Sequence, residues 1–221
     1  MSLDTWDAPS RIYLARGDEV SPHRPLFTGD VIADVAIPGV QERGPGLIVA
    51  HPCAMRRGPK LADQILMAAV ESHDPVSAEK WATGYFDRMP LPELRGDGAD
   101  FEAGFLGRVG LAASADIEAV GRVASLSQIG VNMLQQRMVF HLTRLEVPTA
   151  HFWTAFAYTY EEADLLEEWI EWAPGQQETS PEAFEAWIRA EDRQQRLQDP
   201  QQRASIRTEM RAELRRLKPD H

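Results

Sequence analysis

Val31-Ile32-Ala33-Asp34-Val35-Ala36-Ile37 and Leu47-Ile48-Val49-Ala50-His51 are the two runs on which the reading of this chain turns. Both are short and rich in branched apolar residues, and Pro38-Gly39 and Gly44-Pro45-Gly46 between them favour turns over helix. Two strands of an antiparallel hairpin follow. Ile65-Leu66-Met67-Ala68-Ala69-Val70 reads as a further strand. Beyond a loop with Pro90, Pro92, Gly96 and Gly98, Phe101 to Val109 reads as another, and Ile117 to Val123 offers one more. A parallel sheet would need a helix between each pair of strands, so short strands punctuated by Gly and Pro point to a small antiparallel barrel.

Working outward, the first 25 or so residues read as an extended lead-in, with Pro9, Gly17, Pro22 and Pro25 among charges. From Leu126 the period turns helical: Leu126, Ile129, Leu134, Met138, His141, Leu142 and Leu145 recur at spacings of three to five. Ser125 or Ser127 is available as N-cap, Arg137 and Arg144 fall off the apolar stripe, and Pro148 ends the helix. His141 reads as a core histidine. Phe152 to Tyr158 reads as a strand or an aromatic link, and Glu161 to Trp172 as an acidic helix stopped by Pro174-Gly175. Ser180-Pro181-Glu182 opens a helix with a capping hydroxyl, a proline at the first turn and an acid near the positive dipole end. Asp199-Pro200 repeats the device, so two C-terminal helices are expected at about 181–198 and 201–217. The second has only Ile206, Met210 and Leu214 as apolar anchors, too few for a core element; it packs lightly, stands free or meets a partner. Residues 1–150 then form the barrel domain and 151–221 a helical extension.

The chain has 221 residues, 43% of them hydrophobic and 26% charged, which excludes disordered, collagen-like and disulfide-stapled classes. No apolar run approaches the roughly 18 residues of a membrane span, and the first residues lack a signal-peptide layout, so no membrane partner and a cytoplasmic setting are expected. The single cysteine, Cys53, excludes an internal disulfide and a multi-cysteine zinc site. The net charge of −11 is uneven: residues 151–180 hold seven acids and no Lys or Arg. That stretch repels a phosphate backbone and reads as a charged outer face, not a cation site. Neither cofactor nor metal is expected. Trp169, Trp172 and Trp187 read as packing anchors between the C-terminal helices and the barrel.

Leu26-Phe27-Thr28-Gly29-Asp30-Val31-Ile32, followed after a loop by Gly44-Pro45-Gly46-Leu47-Ile48-Val49-Ala50, resembles the opening of the PemK/MazF-like barrels, a toxin family of bacterial toxin–antitoxin pairs. In that family a Gly-Asp leads the first strand, an Arg-Pro precedes the second, and a helix follows the late strands, as the one with Arg137 does here. The resemblance covers about residues 26–145. It implies an α+β fold, a small antiparallel SH3-like β-barrel with a packed helix, to which this chain adds a helical C-terminal extension. It also implies RNA or a partner protein as ligand, endoribonuclease chemistry and a homodimer. Gly44 stands where the toxins have their arginine, with Arg43 one place earlier, and His51-Pro52-Cys53 stands where they have a small hydroxyl residue, so the active site itself is not carried over.

His51-Pro52-Cys53-Ala54-Met55-Arg56-Arg57 is the most chemically loaded segment. A thiolate at Cys53 would gain from His51 and the arginines, with Asp63 or Asp34 orienting the base; against that, Cys53 reads as a small hydrophobe and His51 as a strand-end cap. Arg43, Arg56, Arg57 and Lys60 form a basic cluster that suits phosphate, or else an ordinary solvated loop without the aromatics that stack bases. RNA cleavage would use Arg43 or Arg56 on the phosphate and His51 for proton transfer. The rival class is a non-catalytic interaction module using the C-terminal helices.

Overall fold

The computed structural model describes residues 2–96, 98 and 100–217; the last four residues of the expected extension lie outside them. It is a mixed α+β structure, 46% helical and 22% strand, because the described C-terminal third is mostly helical while the strands lie in the first two thirds of the chain. Two compact units are present. One comprises Met1–Val20, Leu26–Arg57 and Leu61–Trp153, the other Ser21–Pro25, Gly58–Lys60 and Thr154–His221.

The first unit is built on a curled antiparallel half-barrel sheet of seven strands. These are β1 (Tyr13–Arg16), β2 (Asp30–Ile32), β3 (Gly46–Ile48), β6 (Gln64–Ser72), β7 (Arg88–Pro92), β8 (Phe101–Ala113) and β9 (Arg122–Leu126); Arg56–Arg57 (β4) and Lys60–Leu61 (β5) are short strands outside it. The spatial order is β1-β9-β2-β3-β6-β8-β7. The deciding hairpin is present: Val31 faces Leu47 and Ile32 faces Gly46 in antiparallel register. Its strands are shorter than the apolar runs. After Ile32 the regular strand ends, yet Val35 and Ile37 are fully buried and still bond across the turn, the Val35 amide to the Gly44 carbonyl at 2.8 Å and Ile37 in an antiparallel bridge with Gln41.

Register shifts at Tyr13/Ala15, Val31/Ile32 and Ala68/Ala69 bend the sheet, since residues left unpaired on one strand increase local twist. The bend brings the two edges together through side chains. The Tyr13 hydroxyl donates to the Pro92 carbonyl at 2.9 Å, and Arg16 donates to the Glu93 carbonyl at 2.7 Å. One core holds Ile32, Val35, Ile37, Ile48, Met55, Ile65, Met67 and Ile117.

Several elements differ from the sequence expectation. Pro90 and Pro92, expected in a loop, lie in β7 at the edge of the sheet, where proline is tolerated. Ile117–Val123 is not one strand: Ser114–Ala119 is a short helix (α3) burying only Ile117, and β9 starts at Arg122. The helix after Leu126, α4 (Gln128–Thr143), is capped by Ser127, whose hydroxyl accepts from the Gly130 amide. It ends before Pro148, where Arg144 turns left-handed (φ 62°) and donates to the Phe140 carbonyl. Phe152–Tyr158 is helical, inside α5 (Thr149–Trp172): its buried Phe156, Thr159, Tyr160 and Ala163 keep helical spacing, which outweighs the strand preference of aromatics.

In the second unit, Thr154–Trp172 of α5 is joined by α6 (Pro181–Arg189), α7 (Arg193–Leu197) and α8 (Arg203–Leu217). Ser180 caps α6 as its sequence indicates, accepting from the Ala183 amide. The chain does not continue helically to 198, because Glu191 and Asp192 are left-handed. The expectation of a lightly packed last helix is overturned. Ile206, Met210 and Leu214 stand at i, i+4 and i+8 and are all 0% exposed, against Leu165, Trp169, Phe184 and Ile188. Trp169 anchors this core, whereas Trp172 is 42% exposed. The acidic helix face is not a bare solvated one either. Arg207 bridges Glu161 and Glu168 at 2.7 and 2.9 Å, Arg211 pairs with Glu168, and Arg24 pairs with Asp164 and Glu167.

Two stability effects follow. Gly29 adopts φ +91° and its absent Cβ would lie 2.8–2.9 Å from Leu126 and Val131, so Gly29→Ala costs about 2–4 kcal/mol in denaturant titration. Met210→Ala costs about 2–5 kcal/mol, because a fully buried side chain leaves a cavity; an unchanged urea midpoint would place α8 outside the core.

Candidate functional site

The segment after β3 is positioned by the turn that precedes β2. The Thr28 hydroxyl donates to the Ala50 carbonyl at 2.5 Å, and the Gly29 amide donates to the Ile48 carbonyl at 2.8 Å. This fixes where His51 leaves the sheet. Pro52–Met55 forms one helical turn, α1, with proline at its first position. His51 caps that turn: its Nδ1 accepts the Cys53 amide at 3.2 Å.

An accepting Nδ1 requires the neutral imidazole with its proton on Nε2. Burial of the half-buried ring lowers the His51 pKa below the ordinary 6.5, consistent with that neutral state. Cys53 is exposed, so it is not the small buried hydrophobe that one reading expected. His51 Nδ1 is engaged by the cysteine's own backbone amide. Arg56 is half-buried and donates to the Leu26 carbonyl. Arg57 and Lys60 are exposed, Lys60 on β5.

Arg43 lies elsewhere. It precedes β3 and His51 follows it, with the three-residue strand Gly46–Ile48, on the order of 10 Å long, and then Val49-Ala50 between them. There Arg43 donates to the Asp34 carboxylate at 2.8 Å and to the Asp34 carbonyl at 3.1 Å. Asp34 thereby holds the guanidinium further into its cationic range and does not orient His51. Asp63 meets Ser114 through its backbone carbonyl. The hairpin therefore sets His51 and Cys53 at one end of β3 and Arg43 at the other. Among the described residues no group of three or more His, Cys, Asp or Glu is arranged to hold a metal ion, and no helix is long and apolar enough to cross a membrane.

Two features escaped the sequence reading. Arg137 does not lie off the apolar stripe: it is 0% exposed in α4, donating to the Trp81 carbonyl at 2.9 Å and to the Tyr85 and Arg88 carbonyls at 3.3 Å. Its guanidinium sits 5.6 Å from the Trp81 ring centre, and burial pushes its pKa down to about 10. It ties α4 to α2 (Ala78–Thr83), to Tyr85 and to the start of β7. The other feature is an open cavity of about 290 Å³ lined by Trp6, Pro9, Pro75, Pro92, Glu93, Asp100 and Phe101 among others. These residues come from the lead-in, the start of α2 and the β7–β8 hairpin. No local periodicity links them, so only the fold reveals their proximity.

No protein-family model matches this sequence, and no curated protein matches it at a significant level.

The His51 cap gives a test with a definite sign. With the folded pKa depressed, the stability that depends on neutral His51 is present above pH 6.5 and is lost as pH falls below it, where the unfolded chain takes up the proton more readily. His51→Asn keeps a capping acceptor without titrating there. Wild type should lose more stability than H51N between about pH 7 and pH 5; parallel curves would contradict the cap.

Proposed function

We propose that this chain is a PemK/MazF-like, SH3-like half-barrel protein of the bacterial toxin–antitoxin or defence class, cytoplasmic, that works by holding a partner polypeptide and not by cutting RNA. The carrying observation is how the nominated catalytic side chains are engaged. His51 Nδ1 is taken by the Cys53 amide, Arg56 reaches the Leu26 carbonyl, and Arg43 is paired with Asp34 at the far end of β3. In-line attack on a phosphodiester needs a proton acceptor and a phosphate-binding fork on one reacting group, within hydrogen-bond reach.

The curled antiparallel sheet and its Val31/Leu47 hairpin support the barrel likeness. The charge supports a protein partner: a chain at −11 repels nucleic-acid phosphate except at a dedicated basic face. The buried apolar stripe of α8 favours the barrel unit over the C-terminal helices as the binding element.

Incubating purified protein with mixed RNA tests this. Intact RNA and no salt-sensitive retention are expected; defined fragments that disappear in His51→Ala would overturn the reading.

A further inference from the structure

The cavity beside the β7–β8 hairpin has a chemistry of its own. Trp6 and Phe101 supply aromatic surface, and Pro75 and Pro92 supply rigid apolar surface. The charged residues among those lining it are Glu93 and Asp100, both acidic. They are brought together by the hairpin: Pro92 pairs with Phe101, and one step further the Glu93 amide donates to the Asp100 carbonyl at 2.8 Å. Glu93 holds this place with a left-handed backbone, φ 53°, which Arg16 supports by donating to its carbonyl.

The two carboxylates retain capacity. Their side chains are 41% and 40% exposed, and each lies 3.6 Å from an arginine, Glu93 from Arg16 and Asp100 from Arg95, beyond good hydrogen-bond distance. Arg95 is also shared with Glu102. Among the described residues, three carboxylates thus share two guanidiniums, and the charged side chains lining the cavity itself, Glu93 and Asp100, are both negative. A further planar cation would find acceptors and aromatic faces together, the setting in which guanidinium outperforms ammonium.

We infer that this cavity receives an arginine side chain carried by a partner polypeptide, a step that rests on the binding-module reading above. Its size supports a side chain: about 290 Å³ is at the lower limit of the roughly 300–1,000 Å³ that enclose whole small ligands. Its charge selects the source. Free arginine would bring its own carboxylate against Glu93 and Asp100 in a molecule of net charge −11, whereas arginine within a chain has neutral amides on both sides.

The test is an NMR titration of the full chain, following the Trp6 indole and the Ser77, Glu93 and Phe101 amides. The probes are a capped Gly-Ser-Arg-Ser-Gly peptide, its citrulline counterpart and free L-arginine. The arginine peptide should shift these signals saturably. Citrulline, the neutral isostere, should bind about tenfold more weakly or worse, and Glu93→Gln with Asp100→Asn should weaken the arginine peptide by a similar factor. Because the citrulline arm uses wild-type protein, it holds even if the double variant folds poorly. No shift, equal binding of citrulline, an unchanged affinity in a folded double variant, or tighter binding of free arginine would each overturn the inference. RNA cleavage would instead remove the binding-module reading. Untouched RNA with an inert arginine peptide would remove the cavity assignment alone.

Discussion

Asp30 is the constraint on which the first unit depends. It is 1% exposed, accepts the Phe27 amide at 2.9 Å and pairs with Arg122 of β9 at 3.1 Å. A carboxylate so buried is tolerable only with such partners, and removing one would leave the other charge uncompensated at a cost of about 3–5 kcal/mol. The pairing closes the Phe27–Asp30 turn, sets β2 against β9, and leaves Gly29 and Thr28 to bind the end of β3. One short turn therefore fixes the middle of the sheet and the exit of the chain toward His51 and Cys53.

Charge is used throughout this molecule as an internal fastener. The acidic stretch of α5 meets Arg207, Arg211 and Arg24, and Arg193 and Arg196 meet Glu209. Individually exposed pairs contribute little, but Arg24 at 6% exposure between two carboxylates is held in one geometry. Arg137 goes further, donating to three backbone carbonyls and to no carboxylate among the described residues. Arginines engaged in this way are withdrawn from phosphate recognition, which is why a binding role for the apolar and acidic hairpin cavity fits better than an RNA groove.

What could be read from the sequence was what is encoded locally. Branched runs between Gly-Pro turns gave the Val31/Leu47 hairpin, and Ser127 and Ser180 gave helix starts. Where a residue's role is set by distant partners, the pattern misled. Ile206, Met210 and Leu214 look sparse on a linear count, yet three large side chains in one row suffice when Trp169 and Phe184 face them. Arg137 reads as surface because charge normally avoids the core; the backbone carbonyls of Trp81, Tyr85 and Arg88 that hold it lie some fifty residues away. Arg43, His51, Cys53 and Arg56 are close in sequence, but β3 comes between Arg43 and His51, and each is engaged by a different partner, Asp34 and the Cys53 amide.

Amide hydrogen exchange, resolved by residue, tests most directly whether the Asp30-anchored centre organises this fold. Val31, Leu47, Ile48, Ala124 and Ser125 should include the last amides to exchange in the first unit, and Asp30→Asn should speed them together. Early exchange of the 31/47 pairing, while β6 and β8 remain protected, would mean that the turn at Asp30 decorates the sheet instead of holding it.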